Sequence, residues 1–487
     1  MLVKGLPRTA YIDPKGLNKN EVDALLRQTV NQLVAKLSMA AQRLPYPDFE
    51  KVKAFQKTLT MLPEKGMADT KIIEILTQFY DHSTNVAHPH YMAHMSPLPT
   101  TFSVIGEIVA AAINNNMISL ELSPLFTQME TQLIKDVAKQ FGLGEKAGGV
   151  ILSGGSLSNL QAIAMARNDR FPNLLSKGMQ GGADKRMVII ASQEAHTSIQ
   201  RAGMTLGIGL ENVRLIPTDE SGRLSVHELV NTLESLKSES IIPLCIIATA
   251  GTTVAGVIDP LEPIAKIAKE YGVWLHVDGA YGGALIFSHE NKHLLKGIEN
   301  ADSITFNPQK WLFVTKTCSL LMVKDYAKMS NLFSVYLPYM QTPDEYMNLG
   351  EITVQGSRHA EIVKVWASFQ HFGKEGLGNL VDYGIGLKEA FVKAIEARPY
   401  LKVAHRPQTN VVCFRYFNPA IDPKKLDELN TSLQKFLTQD CGIFLSAPWY
   451  KDKKWLKAVL LNPYISEEII KVAFEKIDLF LTSCNLI

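Results

Sequence analysis

The spacing of apolar residues changes character along the chain. Near the start, Val22, Leu25, Leu26, Val30, Leu33 and Leu37 recur at three- and four-residue steps, the period of one helix face. This predicts a packing helix over about 18–43, with Asn18 or Asn20 as its cap. Phe102 to Ile113 is apolar apart from Glu107. It falls short of the roughly 20 residues a bilayer span needs, so it reads as a buried helix. From about 145 to 325, short β-branched runs alternate with helical stretches. Gly149-Val-Ile-Leu precedes a helix over 157–168, Met187-Val-Ile-Ile-Ala one over 196–204, and Val213-Arg-Leu-Ile one over 225–238. The run from Pro243 to Ala250 precedes a helix over 260–271, which leads into Val273-Trp-Leu-His-Val-Asp278. Near-continuous apolar strands between helices predict an α/β fold with a mostly parallel sheet covered on both faces. After about 370 the pattern loosens to helices near 386–397, 423–438 and 466–482 and strands near Asn410 to Tyr416 and Ala458 to Leu461, a small α+β domain. The expected organisation is an N-terminal helical segment (1–95), a large domain (96–370) and a small C-terminal domain (371–487).

Composition narrows the class. The 487 residues are 46% hydrophobic and 20% charged, which excludes disorder, collagen-like repeats and coiled coil as the main architecture. Fifty basic residues against 48 acidic ones leave a formal charge of +2, so no global argument favours nucleic acid or an anionic membrane as partner. Five scattered cysteines without a CxxC pair suggest neither a disulfide framework nor a thiolate zinc site, and fit a reducing compartment. The first residues lack the apolar core of a signal peptide, so the expected location is the cytoplasm. His88, His90 and His94 cluster without acidic or cysteine companions at a regular spacing. They read as a functional loop rather than a metal site, and no metal is expected.

Three motifs carry chemistry. Ser153-Gly-Gly-Ser-Leu-Ser-Asn-Leu-Gln follows a strand and opens a helix. Exposed N–H groups and the helix dipole make such a turn an anion site, with Gly154 and Gly155 permitting close approach and Ser156 adding a hydroxyl. It is not GxGxxG and lacks a P-loop lysine, so nucleotide binding is unsupported. In His276-Val-Asp278-Gly-Ala280, an aspartate ends a buried strand, which is costly unless it meets a cation such as a protonated heterocyclic nitrogen, or caps the next turn. In Asn307-Pro-Gln309-Lys310-Trp311, a lysine lies among apolar neighbours, where desolvation frees its neutral amine to condense with an aldehyde. Together with His196, placed to stack on a ring face, and Gly251-Thr-Thr253, these are the parts of a pyridoxal 5'-phosphate site. Asp278 would hold the pyridine nitrogen protonated and Lys310 would carry the aldehyde.

These residues, in this order and spacing, resemble the group II pyridoxal phosphate-dependent decarboxylases, the glutamate and aromatic amino acid decarboxylases. The similarity runs from about 85 to 370, with a weaker tail, and is extended by Cys318-Ser-Leu-Leu and Gln355-Gly-Ser-Arg358 … Lys364-Val-Trp366. The resemblance implies fold type I, a homodimer with shared active sites, and α-decarboxylation of an L-amino acid to the amine and carbon dioxide. It adds Ala280, Asn307 and Ser357 to the cofactor-binding set, with Ser357 and Arg358 reaching the phosphate across the dimer interface. It assigns Asn331-Leu-Phe-Ser-Val-Tyr336-Leu-Pro-Tyr339-Met-Gln-Thr-Pro to the family's mobile loop. Tyr336 would reprotonate the carbanion, with Tyr339 as a rival. It makes His94 and Ser96 substrate candidates, and Lys457 a cation suited to an acidic substrate. Two departures stand out: Gln309 replaces the family's histidine and cannot titrate, and Gly279 replaces an alanine. An aminotransferase, a carbon–carbon lyase, a decarboxylating aldehyde synthase or a non-catalytic relative would share parts of this set. The retained His196 and Tyr336 argue against the aldehyde synthase.

Overall fold

Seven mostly buried, largely apolar strands join into one sheet in the computed structural model, which describes residues 6–182, 186–340 and 347–487. They are β1 (Gly148–Leu152), β2 (Met187–Ser192), β3 (Val213–Ile216), β4 (Ile242–Thr249), β5 (Trp274–Asp278), β6 (Ser303–Phe306) and β7 (Ser319–Val323), in the order β1-β7-β6-β5-β4-β2-β3. Pairing is parallel from β3 through β6, as the unbroken apolar runs predict, and β7 is inserted antiparallel between β1 and β6. Because β7 opposes both neighbours, β1 points the same way as β6. The carboxyl ends of β1, β2, β4, β5 and β6 therefore share one edge, where ligands of such sheets bind. The predicted crossover helices are present as Gly155–Arg170, Ser198–Thr205, Val226–Ser238 and Leu261–Tyr271.

The helix Ile362–Glu396 is interrupted at Gly373, whose φ of 60° and ψ of 177° leave the helical region. The helix predicted near 386–397 is its second part, and the boundary expected at 370 falls beside this break. Beyond it, β8 (Leu401–Val403), β9 (Val411–Tyr416) and β12 (Leu456–Val459) form an antiparallel sheet, while β10 (Trp449–Tyr450) and β11 (Lys453–Lys454) make a two-stranded ribbon. The helices Pro423–Gln439 and Glu467–Ser483 pack here. Phe391 meets Phe414 and Phe474 edge-on, with ring centroids 5.4 and 4.8 Å away.

Two expectations of burial are corrected. The helix Lys19–Ser38 forms, but none of its residues is buried, and Leu26, Val30, Leu33, Val34 and Leu37 face outward. The helix Thr101–Ile113 buries its small residues instead of its bulky ones: Ser103, Gly106 and Ala110 lie inside, while Phe102, Ile105, Ile108 and Val109 are exposed. The reason is close approach. A Cβ at Gly106 would stand 2.6 Å from the Lys364 Cα, so only the small-residue stripe fits against Ile362–Glu396.

The β1–β7 pairing sets the edge of the sheet that carries the phosphate-type turn. A Cβ at Gly149 would lie 1.9 Å from the Leu321 carbonyl oxygen. Gly149→Ala is expected to cost at least about 1–3 kcal/mol, the range of overpacking. Urea unfolding measures it, and an unchanged midpoint would contradict this register.

Candidate active site

The strand ends enclose a cavity of about 250 Å³. Gly155, Ser156, His196, Thr253, Asp278, Ala280, Asn307 and Lys310 all line it, so the structure brings these sequence-predicted residues together. One wall is the turn after β1. Gly154 adopts φ 98°, ψ 157°, a conformation that L side chains rarely reach. No side chain caps the following helix, and its first N–H groups have no acceptor within the helix. Asn307 faces this turn: its Oδ1 accepts from the Ser319 hydroxyl at 2.5 Å, and a Cβ at Gly155 would come within 3.0 Å of its Nδ2. Free donors and the positive helix end make this wall an anion cradle that a side chain would fill.

Asp278 forms the opposite pole. It ends β5, is 5% exposed, and accepts from the Ala280 N–H at 3.1 Å and the Asn159 amide at 2.9 Å. Lys310 follows β6 through a turn closed by its own N–H on the Asn307 carbonyl at 3.1 Å. Burial pushes its ammonium pKa down and outweighs the pull of Asp278, which makes the neutral amine easier to reach than in water. His196 follows β2. Its Nδ1 receives the Ser198 N–H at 3.2 Å and lies 2.9 Å from the Ser198 hydroxyl. Burial lowers its pKa too, against Asp278. Gln309 lines the cavity with its Oε1 held by the Cys318 N–H. Tyr281 closes one side, stacked on Trp311 at 5.1 Å.

The loop around His88–Pro97 is tied to the C-terminal unit. Phe444 N–H donates to His90 O, and Val459 N–H to Met92 O. His88 Nδ1 accepts from the His90 N–H at 2.9 Å, an internal loop contact. This brings Met95 into the cavity wall and sets Ser96 against Lys316, whose Nζ donates to the Ser96 Oγ at 2.9 Å. His94 stands within the fields of Lys457 and Lys316; burial, more than either cation, lowers its pKa. Lys457, opposite Cys413 in the β12–β9 pair, is 6% exposed and donates to the carbonyl of cavity-lining Thr253 at 3.4 Å. Among the described residues neither Lys316 nor Lys457 has a carboxylate partner.

Other sequence-predicted residues stand apart. Tyr336 and Tyr339 are exposed and do not line this cavity; their segment is fastened elsewhere by Val335 N–H on Glu351 O. The end of that loop, 341–343, lies outside the described residues. Ser357 is exposed and its Oγ accepts from Asn116 at 3.0 Å. Arg358 is buried within its own chain, donating to Glu130 at 3.0 Å and to the Ile151 and Met117 carbonyls. Sequence reasoning passed over Thr249, whose buried Oγ1 lines the cavity without a hydrogen-bond partner among the described residues, and it assigned no role to Asn159. Asn159 sits one helical turn after Gly155, on the same face, and that spacing was the available signal.

The pyridoxal-dependent decarboxylase conserved domain matches residues 55–417. The chain is 28% identical to mouse acidic amino acid decarboxylase GADL1, over 96% of this chain and 88% of that one. It is 29% identical to rat cysteine sulfinic acid decarboxylase, over 83% of each. Among solved structures, mouse CSAD superposes with a TM-score of 0.88 at 26% identity, covering 95% of this chain and 99% of that one. Oryza sativa TDC with PLP and tryptamine, at 23% identity and a TM-score of 0.89 over 97% and 100%, shares the fold.

The geometry makes Arg358 a structural cation for this chain. Arg358→Met leaves Glu130 buried without its counter-charge and is expected to cost about 3–5 kcal/mol. Adding Glu130→Gln should restore much of that. Thermal and urea unfolding of the single and double variants measure it, and a fully stable Arg358→Met would refute the structural role.

Proposed function

Because the chain belongs to the pyridoxal-dependent decarboxylase family, whose members are amino acid carboxy-lyases of fold type I, we propose that its substrate is an amino acid with an acidic side chain. One observation carries this reading. One ammonium group, Lys457, is buried beside the cavity, donating to the carbonyl of cavity-lining Thr253, and has no carboxylate partner among the described residues, while the exposed Lys316 adds a second positive field at His94. A buried, unpaired cation costs several kcal/mol unless an anion arrives to meet it. Relatives named for acidic amino acids and for cysteine sulfinic acid support the same class.

The protein is a pyridoxal phosphate enzyme, and the cavity suits that cofactor. The uncapped turn at Gly155 and Ser156 offers donors for its phosphate, with Thr253 and Asn307 beside them. Thr249 adds a buried hydroxyl in search of a partner. Asp278 offers a carboxylate for the pyridine nitrogen, Ala280 leaves room for the ring, and His196 supplies a flat face. Pyridoxal phosphate supplies the aldehyde that takes the substrate amine and the ring that accepts the electron pair as carbon dioxide leaves. Lys310, kept partly neutral by burial, is the amine that holds and exchanges that aldehyde. Lys457, with His94 and Ser96 on the facing loop, holds the side-chain acid. A phenol then returns a proton to Cα.

That phenol is Tyr336, and it comes from a second copy of the chain. Three features support a homodimer with shared sites: Tyr336 is exposed away from its own cavity, Ser357 likewise, and the helices Lys19–Ser38 and Thr101–Ile113 present uncovered apolar faces. The working division is 1–95, 96–370 and 371–487, with the two largest apolar clusters supporting the last two units. No helix among the described residues is long and apolar enough to cross a membrane. Five free cysteines favour the reducing cytoplasm.

Purified enzyme should release carbon dioxide from cysteine sulfinate, aspartate or glutamate in preference to aromatic amino acids; the reverse preference would sink the acidic reading. Lys310→Ala should lose both the visible cofactor absorbance and turnover. Lys457→Met should raise KM for the acidic substrate about tenfold or more, since a charged hydrogen bond is worth about 1.5–3 kcal/mol. Its melting temperature should hold or rise, because a buried unpaired charge is removed. An unchanged KM would remove Lys457 from the site.

A further inference from the structure

A hydrogen-bond chain runs beneath the cavity from β5 to His196. It starts at Trp274, whose indole N–H can only donate, and does so to the Ser303 Oγ at 2.9 Å. The same Ser303 hydroxyl, which can both accept and donate, lies 2.8 Å from His276 Nδ1. His276 Nε2 meets the Asn159 Oδ1 at 3.0 Å, and because an amide oxygen only accepts, this nitrogen carries the ring proton. Thr305 donates to the same oxygen at 2.7 Å. The two protons of Asn159 Nδ2 go to the Asp278 Oδ2 and the Ser198 Oγ, each at 2.9 Å. The Ser198 hydroxyl, having accepted, donates onward to His196 Nδ1 at 2.9 Å. His276, Asn159, Ser198, Ser303, Thr305 and Asp278 are all buried.

This chain has one polarity. Its head is a donor that cannot accept, and one of its ends is a carboxylate that cannot donate while ionised. Turning the Asn159 amide over would set two acceptor oxygens 2.9 Å apart in a buried site and leave its donors facing the protons of His276 and Thr305. In this orientation both donors and both acceptor positions of Asn159 are used. Such fully satisfied networks specify a single state.

We propose that Asn159 is a positioning residue that sets two states at once: the ionised carboxylate of Asp278, and the neutral form of His196 that carries its proton on Nε2. The first follows because a protonated Asp278 Oδ2 would oppose the Asn159 donor. The second follows because the Ser198 N–H is directed at the single lone pair of His196 Nδ1 at 3.2 Å, with the Ser198 hydroxyl 2.9 Å away, which leaves no room there for a proton of its own. His276, two residues before Asp278 on the same face of β5, anchors the amide from behind, and burial keeps it neutral. The proposal takes Asp278 and His196 to be active-site groups, as in the functional reading above.

The test is the ring-nitrogen NMR of 15N-histidine-labelled enzyme, with His196→Gln for assignment. In the wild type, with and without cofactor, His196 should show a bare Nδ1 and a protonated Nε2. Asn159→Asp is nearly isosteric but places an acceptor against Asp278 and takes the Ser198 proton away from His196. It should populate the Nδ1-protonated form, change the absorbance of the bound cofactor, and lower kcat about 10–100-fold with little change in KM, the loss typical when groups that orient a ligating side chain are removed. A wild-type His196 protonated at Nδ1 overturns the proposal, even if no variant folds. So does an Asn159→Asp enzyme with wild-type tautomer and absorbance, whatever its stability. A wild-type protein that binds no pyridoxal phosphate refutes the functional reading instead, and leaves the tautomer measurable.

Discussion

A carboxylate buried at the end of a strand is the constraint on which the site depends. Asp278 sits at 5% exposure, where an uncompensated charge would cost several kcal/mol. Two donors, the Ala280 N–H and the Asn159 amide, satisfy part of that demand from within the chain. The rest of the demand opens toward the cavity and selects a cation there. The sheet makes this possible. Parallel pairing of β4, β5 and β6 places Thr249 beside Asp278 and Asp278 beside Thr305 in register, so the polar groups arrive at one edge while the strand interiors stay apolar.

The same edge separates opposite charges over a short span. The cradle at Gly155 and Ser156 suits an anion and Asp278 suits a cation, so an elongated molecule with a phosphate at one end and a basic nitrogen at the other would fit in one orientation. Between these poles, burial decides the state of the titrating groups. For both Lys310 and His196 desolvation is the largest influence and Asp278 opposes it, which leaves both nearer their neutral forms than they would be in water. The near-zero net charge of the chain says nothing of this, because the charges that matter are local.

What the sequence made legible was chemistry carried by neighbours in the chain. The Ser153–Ser156 turn, Asp278 and Lys310 each end or follow an apolar run, so pattern and motif locate them together. Long-range satisfaction was not legible. Asn159 reads as an ordinary helix residue until folding sets it against Asp278, 119 positions away. Arg358 sits in a motif that points to the phosphate, yet Glu130, 228 positions away, claims its guanidinium. Lys457 reads equally well as a surface lysine, and only its place opposite Cys413 in the small sheet shows it to be buried. The burial errors have a single source. Periodicity identifies an apolar face but not what covers it, so Lys19–Ser38 and Thr101–Ile113 were read as packed within one chain when their bulky faces lie open.

Gln309 shows how a departure from a family pattern acts through such local constraints. Its Oε1 is taken by the Cys318 N–H, so the end left for the cavity is an amide donor at every pH. A histidine in that place would be a donor, an acceptor or a cation according to its surroundings. With glutamine there, the cavity-lining groups whose proton affinity burial lowers are His196 and Lys310. His196 has its Nδ1 closed off by Ser198. The proton traffic of this site therefore runs through fewer groups than the family motif allows. On the functional reading, the proton returned to the substrate therefore comes from a phenol delivered from outside the chain's own cavity, that of Tyr336.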